Sequence, residues 1–162
     1  MINQPSYSAK TKKPVSVPFP ISRNLKFIGY NKNDSIVLGN YGDASVIARG
    51  TFQLSGIVLC RKSTFEIDID GKGMVSFKGR CKNLVIRNIS GDCTVNLSDL
   101  ACRSVKCLSA SGKSTILLGR TRVIEQLVIS NDTIVLYKGK PRLENYSITE
   151  NAKFEGIMTE AA

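Results

Sequence analysis

"SASGKSTILLG", Ser109–Gly119, is the stretch whose reading decides the fold. Its centre, Gly112-Lys113-Ser114, matches the close of the phosphate-binding pattern G-x-x-x-x-G-K-[ST]. The leading glycine of that pattern belongs at position 107, where this chain has Cys107. That glycine is what lets a loop fold back so that its N–H groups surround a phosphate. The following residues, Thr115-Ile116-Leu117-Leu118, are strand formers and poor openers for the helix whose N-terminus would hold the anion. The stretch therefore reads as a turn that leads into a strand, and its meaning depends on whether the turn recurs.

It does recur. Asp70-Gly71-Lys72-Gly73, Ser90-Gly91-Asp92-Cys93, Ser111-Gly112-Lys113-Ser114, Ser130-Asn131-Asp132-Thr133 and Thr149-Glu150-Asn151-Ala152 stand in register. Their second residues fall at 71, 91, 112, 131 and 150, in steps of 20, 21, 19 and 19. Each turn precedes a short strand: "MVSF", "TVNL", "TILL", "IVLY", "KFEG". An earlier "NDSIVLG" from Asn33 nearly duplicates "NDTIVLY" from Asn131. A second column confirms the period, with Cys60, Cys81 and Cys102 spaced 21 and 21 and continued by Thr121 and Pro141.

Short strands and Gly/Asn turns at a period near 20 predict stacked coils with parallel pairing about 4.8 Å apart. The fold class expected is all-β: one single-domain parallel β-solenoid (β-helix) of about six coils, spanning residues 23–158. Val75 and Phe77, Val95 and Leu97, and Val135 and Tyr137 are its predicted inward stacks. Apolar residues alternate and glycine recurs within each unit, which argues against helical repeats.

Residues 1–22 differ in kind. They are polar and basic, and they hold four of the five prolines, including Pro14, Pro18 and Pro20. These prolines interrupt any helix or central strand, so an extended basic N-terminal arm is predicted. Residues 159–162 form a short C-terminal tail. The opening residues lack the apolar core of a secretory signal, and the expectation is a chain inside the cell or incorporated in a virion. No run of 18 apolar residues occurs, so no membrane span is expected.

The repeat resembles the head GIN domain, the auto-transporter adhesin head family. "ISGDCTVNL" (Ile89–Leu97) and "ASGKSTILL" (Ala110–Leu118) look like two of its coils, and Tyr137-x-Gly139-x-Pro141 resembles the Y-x-G-x-P near its last coils. The resemblance covers residues 24–158 and implies a parallel β-solenoid with an adhesin-like role. It brings no catalytic residues with it. The basic arm and the cysteines depart from the family pattern, and several S-G-S-G turns are eroded.

Chemistry is sparse. The chain has 162 residues and 42% hydrophobic content, enough for one globular core, but it has no histidine. A Ser-His-Asp or Cys-His site is therefore impossible within one chain. The five cysteines, at 60, 81, 93, 102 and 107, form no C-x-x-C pair. Their odd number argues against a fully paired disulfide framework, and reduced, buried thiols are expected. "FEIDID" (Phe65–Asp70) places Glu66, Asp68 and Asp70 on one strand face. Stacked carboxylates can hold calcium or act as acid and base, but a half-buried strand must show some polar face, and the reading adopted is a solvated one. No cofactor, metal or small-molecule substrate is expected.

The charge is more informative. The formal net charge is +10. Taking one cation per coil beside the cysteine column gives Arg61, Lys82, Arg103, Arg122 and Arg142, spaced 21, 21, 19 and 20. Stacking would align them along one corner, where like charges about 5 Å apart repel unless solvated or met by an anion. With Lys10, Lys12 and Lys13 of the arm, they are the predicted partner- or polyanion-binding residues. Sparse aromatics in that column argue against base stacking. The leading expectation is a non-enzymatic structural or assembly protein that docks against other protein chains of a larger particle, such as a virion capsid. An adhesin-like module binding an acidic polymer is the second reading. A carbohydrate-active enzyme using Glu66, Asp68 and Asp70 is the third.

Overall fold

The structure, a computed structural model, describes residues 6–8, 24–29, 31–38 and 42–156. Eight strands follow one another: β1 (Ser6–Ser8), β2 (Asn24–Ile28), β3 (Asn31–Leu38), β4 (Ala44–Ala110), β5 (Thr115–Ile129), β6 (Ile134–Lys138), β7 (Arg142–Ile148) and β8 (Lys153–Gly156). No described residue is helical. The 67 residues of β4 do not run straight. They wind through successive coils whose pairing continues unbroken around the corners.

Every pairing between the described strands is parallel, and each joins a residue to its counterpart one coil later. Ser6 pairs with Lys26, Asn24 with Ser45, Thr94 with Thr115, Thr115 with Ile134 and Ile134 with Lys153. The architecture is a parallel β-solenoid of about six turns with a period of about 19 residues. The early steps of 20 and 21 shorten to 19 toward the C-terminus. Ser6–Ser8 of the N-terminal segment joins this sheet along Lys26–Ile28. Lys10, Lys12 and Lys13 lie outside the described residues.

Each coil has two sides, for the period-2 burial pattern runs twice between turns. In β5, Ile116 and Leu118 point inward on one side, and Ile124, Leu127 and Ile129 on the other. Register stacks like on like: Val95, Ile116, Val135 and Phe154 form one column, and Leu97, Leu118 and Tyr137 another. The predicted stacks hold, because Val75, Phe77, Val95, Leu97 and Val135 are all buried. Tyr137 is only partly buried and stacks on Phe154, with ring centroids 4.4 Å apart, near the C-terminal end. Phe65 and Phe77 meet edge to face at 5.2 Å. Alternation feeds every second side chain into this interior, and the burial of about thirty apolar side chains drives the stacking.

The two corners differ. The first is tight and left-handed: Gly29, Gly50, Gly71, Gly91 and Gly112, then Asn131 and Glu150, all have positive φ. The second is marked by register shifts between Leu97 and Cys102 and between Leu118 and Arg120. It carries the cysteine column and the cations beside it.

Candidate functional site

The Gly112-Lys113-Ser114 turn is one rung of the first corner and cannot cradle a phosphate. Its amides are already committed to the coil before: Lys113 N donates to Gly91 O (2.9 Å) and Ser111 N to Ile89 O (2.8 Å). Ser114 is fully buried, and its hydroxyl donates to Ser111 O (3.0 Å). A phosphate site needs those N–H groups and that hydroxyl free and facing outward.

The "FEIDID" strand shows the expected division. Phe65, Ile67 and Ile69 are fully buried; on the other face Glu66 and Asp70 have partners, while Asp68 Oδ1 lies near Arg49 without a hydrogen bond. Arg87 pairs with Glu66. Arg49 lies 3.0 Å from Asp68 Oδ1 and donates to the backbone oxygens of Asp68 and Ala48. Ser90 Oγ donates to Asp70 Oδ1 (2.9 Å). Among the described residues, no group of three or more Cys, Asp or Glu could hold a metal ion.

The basic corner is different. Arg61, Lys82, Arg103, Arg122 and Arg142 are all exposed. Cys102 pairs with Thr121 and Ser104 with Val123, so Arg103 and Arg122 are direct neighbours on adjacent coils. The predicted column slips at its last member. Val123 pairs with Arg142, a step of 19, which puts Arg142 one place beyond Arg122. The cause is the shorter C-terminal period, which also moves Pro141 out of the cysteine column. Arg142 has a local counterion as well, since its Nη2 lies 3.2 Å from Glu144.

Away from this corner some cations pair between coils, as in Arg49–Asp68 (3.0 Å) and Lys106–Glu125 (3.5 Å), and at the corner itself Lys138, opposite Arg120, lies 3.9 Å from Asp99. Among the described residues, no acidic side chain lies within ion-pair distance of Arg61, Lys62, Arg80, Lys82, Arg103, Arg120 or Arg122. Near the N-terminal end this corner opens into a cleft of about 720 Å³. Arg61, Lys62, Arg80 and the half-exposed Leu59 line it.

Cys60, Cys81 and Cys102 follow this corner in the chain, and all five cysteines are free thiols. Cys60, Cys81, Cys93 and Cys107 are buried, and Cys102 is half-buried. Burial pushes the Cys60 thiol up to about 11 and the Cys107 thiol up to about 12. Cys81 is raised by its hydrogen bond with Cys102 and then by burial. Such thiols stay protonated and behave as small apolar groups.

Sequence reading missed a polar ladder on the adjoining face. Ser104 Oγ donates to Asn83 Oδ1 (2.7 Å), and Asn83 Nδ2 faces Thr64 Oγ1 (3.5 Å). These residues line a hollow of about 270 Å³ together with the Lys106–Glu125 pair. The signal was present as spacings of 19 and 21 between Thr64, Asn83 and Ser104. It was masked because the three residue types differ. The ladder satisfies its own polar atoms and offers no reactive group. Comparison of the chain with protein-family models, with curated proteins and with solved structures finds no match in any of the three.

Proposed function

We propose that this protein is a non-enzymatic structural module. It is a stiff β-solenoid that takes its place in a larger assembly by setting its basic corner against an acidic face of a neighbouring protein. The observation that carries this reading is the contrast in charge pairing. Arg61, Lys82, Arg103 and Arg122 run along one corner without counterions among the described residues, while Arg49, Arg87 and Lys106 elsewhere pair with carboxylates of adjacent coils. A row of like charges at coil spacing is unfavourable on a free molecule and becomes favourable when an anionic surface meets it. The engagement of Glu66, Asp68 and Asp70 by Arg87, Arg49 and Ser90 weighs against the carbohydrate-cleaving alternative.

The test is size-exclusion chromatography of the chain in extracts of its native source, at low and at high salt. At low salt the chain should elute within a large particle, and high salt should release it, because several ion pairs are screened together. Arg103→Glu with Arg122→Glu should elute as the free chain at both, with an unchanged unfolding midpoint. A wild-type chain that elutes alone at low salt, or a double variant that still incorporates, overturns the reading. Wild-type elution alone combined with salt-sensitive retention on heparin would favour the polyanion-binding module.

A further inference from the structure

The sulfurs of Cys81 and Cys102 lie 3.3 Å apart, across two adjacent coils. Among the described residues theirs is the one thiol–thiol hydrogen bond. Cys60, next in the column, is near enough to Cys81 for that thiol to disfavour its thiolate, but its hydrogen bonds go to Ser63 and the Ala44 amide. Cys93 faces Ser114 Oγ (3.5 Å), and Cys107 faces Val128 O (3.9 Å). Parallel partners in register sit about 5 Å apart at Cα, within the roughly 4.4–6.8 Å that a disulfide spans. Side chains in a regular ladder run side by side, and closing a bond between them needs some local give. Cys102 directly follows an irregularity in its pairing with the next coil, between Leu97 and Cys102, so on that side its backbone is not held in a continuous regular ladder. Cys102 is also the half-exposed member of the pair, whereas Cys81 is buried.

We propose that Cys81 and Cys102 form a latent dithiol that closes to a disulfide, stapling two coils at the basic corner, when a small acidic disulfide reaches the Cys102 sulfur. The Cys102 thiolate attacks one sulfur of the small disulfide. The Cys102–S–S bond forms, the original S–S bond breaks, and the first small thiolate leaves and takes up the proton that Cys102 gave. Cys81, as thiolate, then attacks Cys102 Sγ and expels the second small thiolate, which is protonated in turn. Two protein thiols are oxidised and one small disulfide is reduced to two thiols.

The order of events fits the site. In the reduced form, the hydrogen bond with Cys102 is the largest influence holding the Cys81 proton in place. The first exchange removes that bond and frees Cys81 for the second. Arg80, Lys82 and Arg103 are exposed and flank the two cysteines in the chain, so a disulfide bearing carboxylates is drawn to this corner.

The experiment treats the folded full-length chain with oxidised glutathione, then quenches it with acid, unfolds it, alkylates it and maps the peptides. Two of the five thiols should become resistant to alkylation, and a Cys81–Cys102 linked peptide should appear. Cys60→Ser should close the same bridge, and Cys102→Ser should form none. Hydroxyethyl disulfide, which is neutral, should react several-fold more slowly than glutathione disulfide at low salt, and that difference should shrink at high salt. Five alkylatable thiols in the treated wild type, a bridge through Cys60, or glutathione retained on Cys102 beside a free Cys81 would each overturn the proposal. Equal rates for the acidic and neutral disulfides would overturn the part given to the cations.

Discussion

Gly112 shows how little of a motif's meaning lies in its letters. Its φ is +78°, and a Cβ built there would stand 2.4 Å from Gly91 O. The residue is a glycine because the coil turns left-handed against the backbone of the previous coil, a need unconnected with phosphate. Asn131 at +59° and Glu150 at +61° fill the same position in later coils, where the turn geometry is retained without glycine. Asparagine is among the few side chains that enter this region at modest cost. Gly112→Ala should therefore destabilise the fold by about 2–3 kcal/mol, from positive-φ strain together with the backbone clash. Lys113→Ala, an exposed change, should stay within about 0.5 kcal/mol. Urea unfolding of the two variants measures both effects. Two variants of equal stability would show that the corner relaxes freely, and ATP binding lost in Lys113→Ala would restore the phosphate reading.

At the scale of the coil, the period was legible because the fold imposes it on several residue types at once. Glycine at the turn, an apolar pair after it and cysteine at the far corner all repeat at nearly one spacing. What escaped sequence reading was local register. Arg142 was placed with Arg122 by counting, yet it sits opposite Val123 because the last coils are shorter. The Thr64–Asn83–Ser104 ladder escaped because hydrogen bonding constrains polarity more than identity. The pairings of Glu66 with Arg87 and of Asp68 with Arg49 span 21 and 19 residues, the spacings of the repeat itself, and so lay within reach of the sequence.

The cysteines give the coil interior a measurable pH signature. Burial holds Cys107 up to about 12 and Cys60 up to about 11, against an ordinary value of 9.0. As pH rises past 9 the unfolded chain loses these protons first, so the native state binds more of them and stability falls. The stabilisation is thus complete below pH 9 and is lost as pH climbs toward 11–12. The slope is about 1.4 kcal/mol per pH unit for each such thiol. Cys107→Val should flatten the decline by one thiol's share, read from urea midpoints on either side of pH 9. An unchanged slope would mean that Cys107 is already wet in the native state.

The whole molecule is a one-dimensional stack, and its stability should vary along its axis. A middle coil is covered on both sides, as Val95 and Ile116 show by their near-complete burial. The last described coil is far more exposed. In β7 every residue except Leu143 is exposed, with Tyr146 at 65% and Ile148 at 38%, and in β8 only Phe154 is partly buried. Each coil's stability is roughly its own contribution plus that of its interfaces, so an end coil lacks one interface term. It can therefore open without disturbing the rest, whereas opening a middle coil breaks two interfaces. Native-state hydrogen exchange should then show a gradient. The amides of β8, which bond back to β6, should exchange by local fraying orders of magnitude faster than those of Val95 and Ile116, which should require near-global opening. Removing one coil-to-coil contact by Phe154→Ala should speed exchange in β8 and leave the middle coils unchanged, since Phe154 packs on Tyr137 at the end of the column. Uniform protection along the chain, or slowing and speeding of all coils together, would show a single cooperative unit in place of a stack of coupled ones.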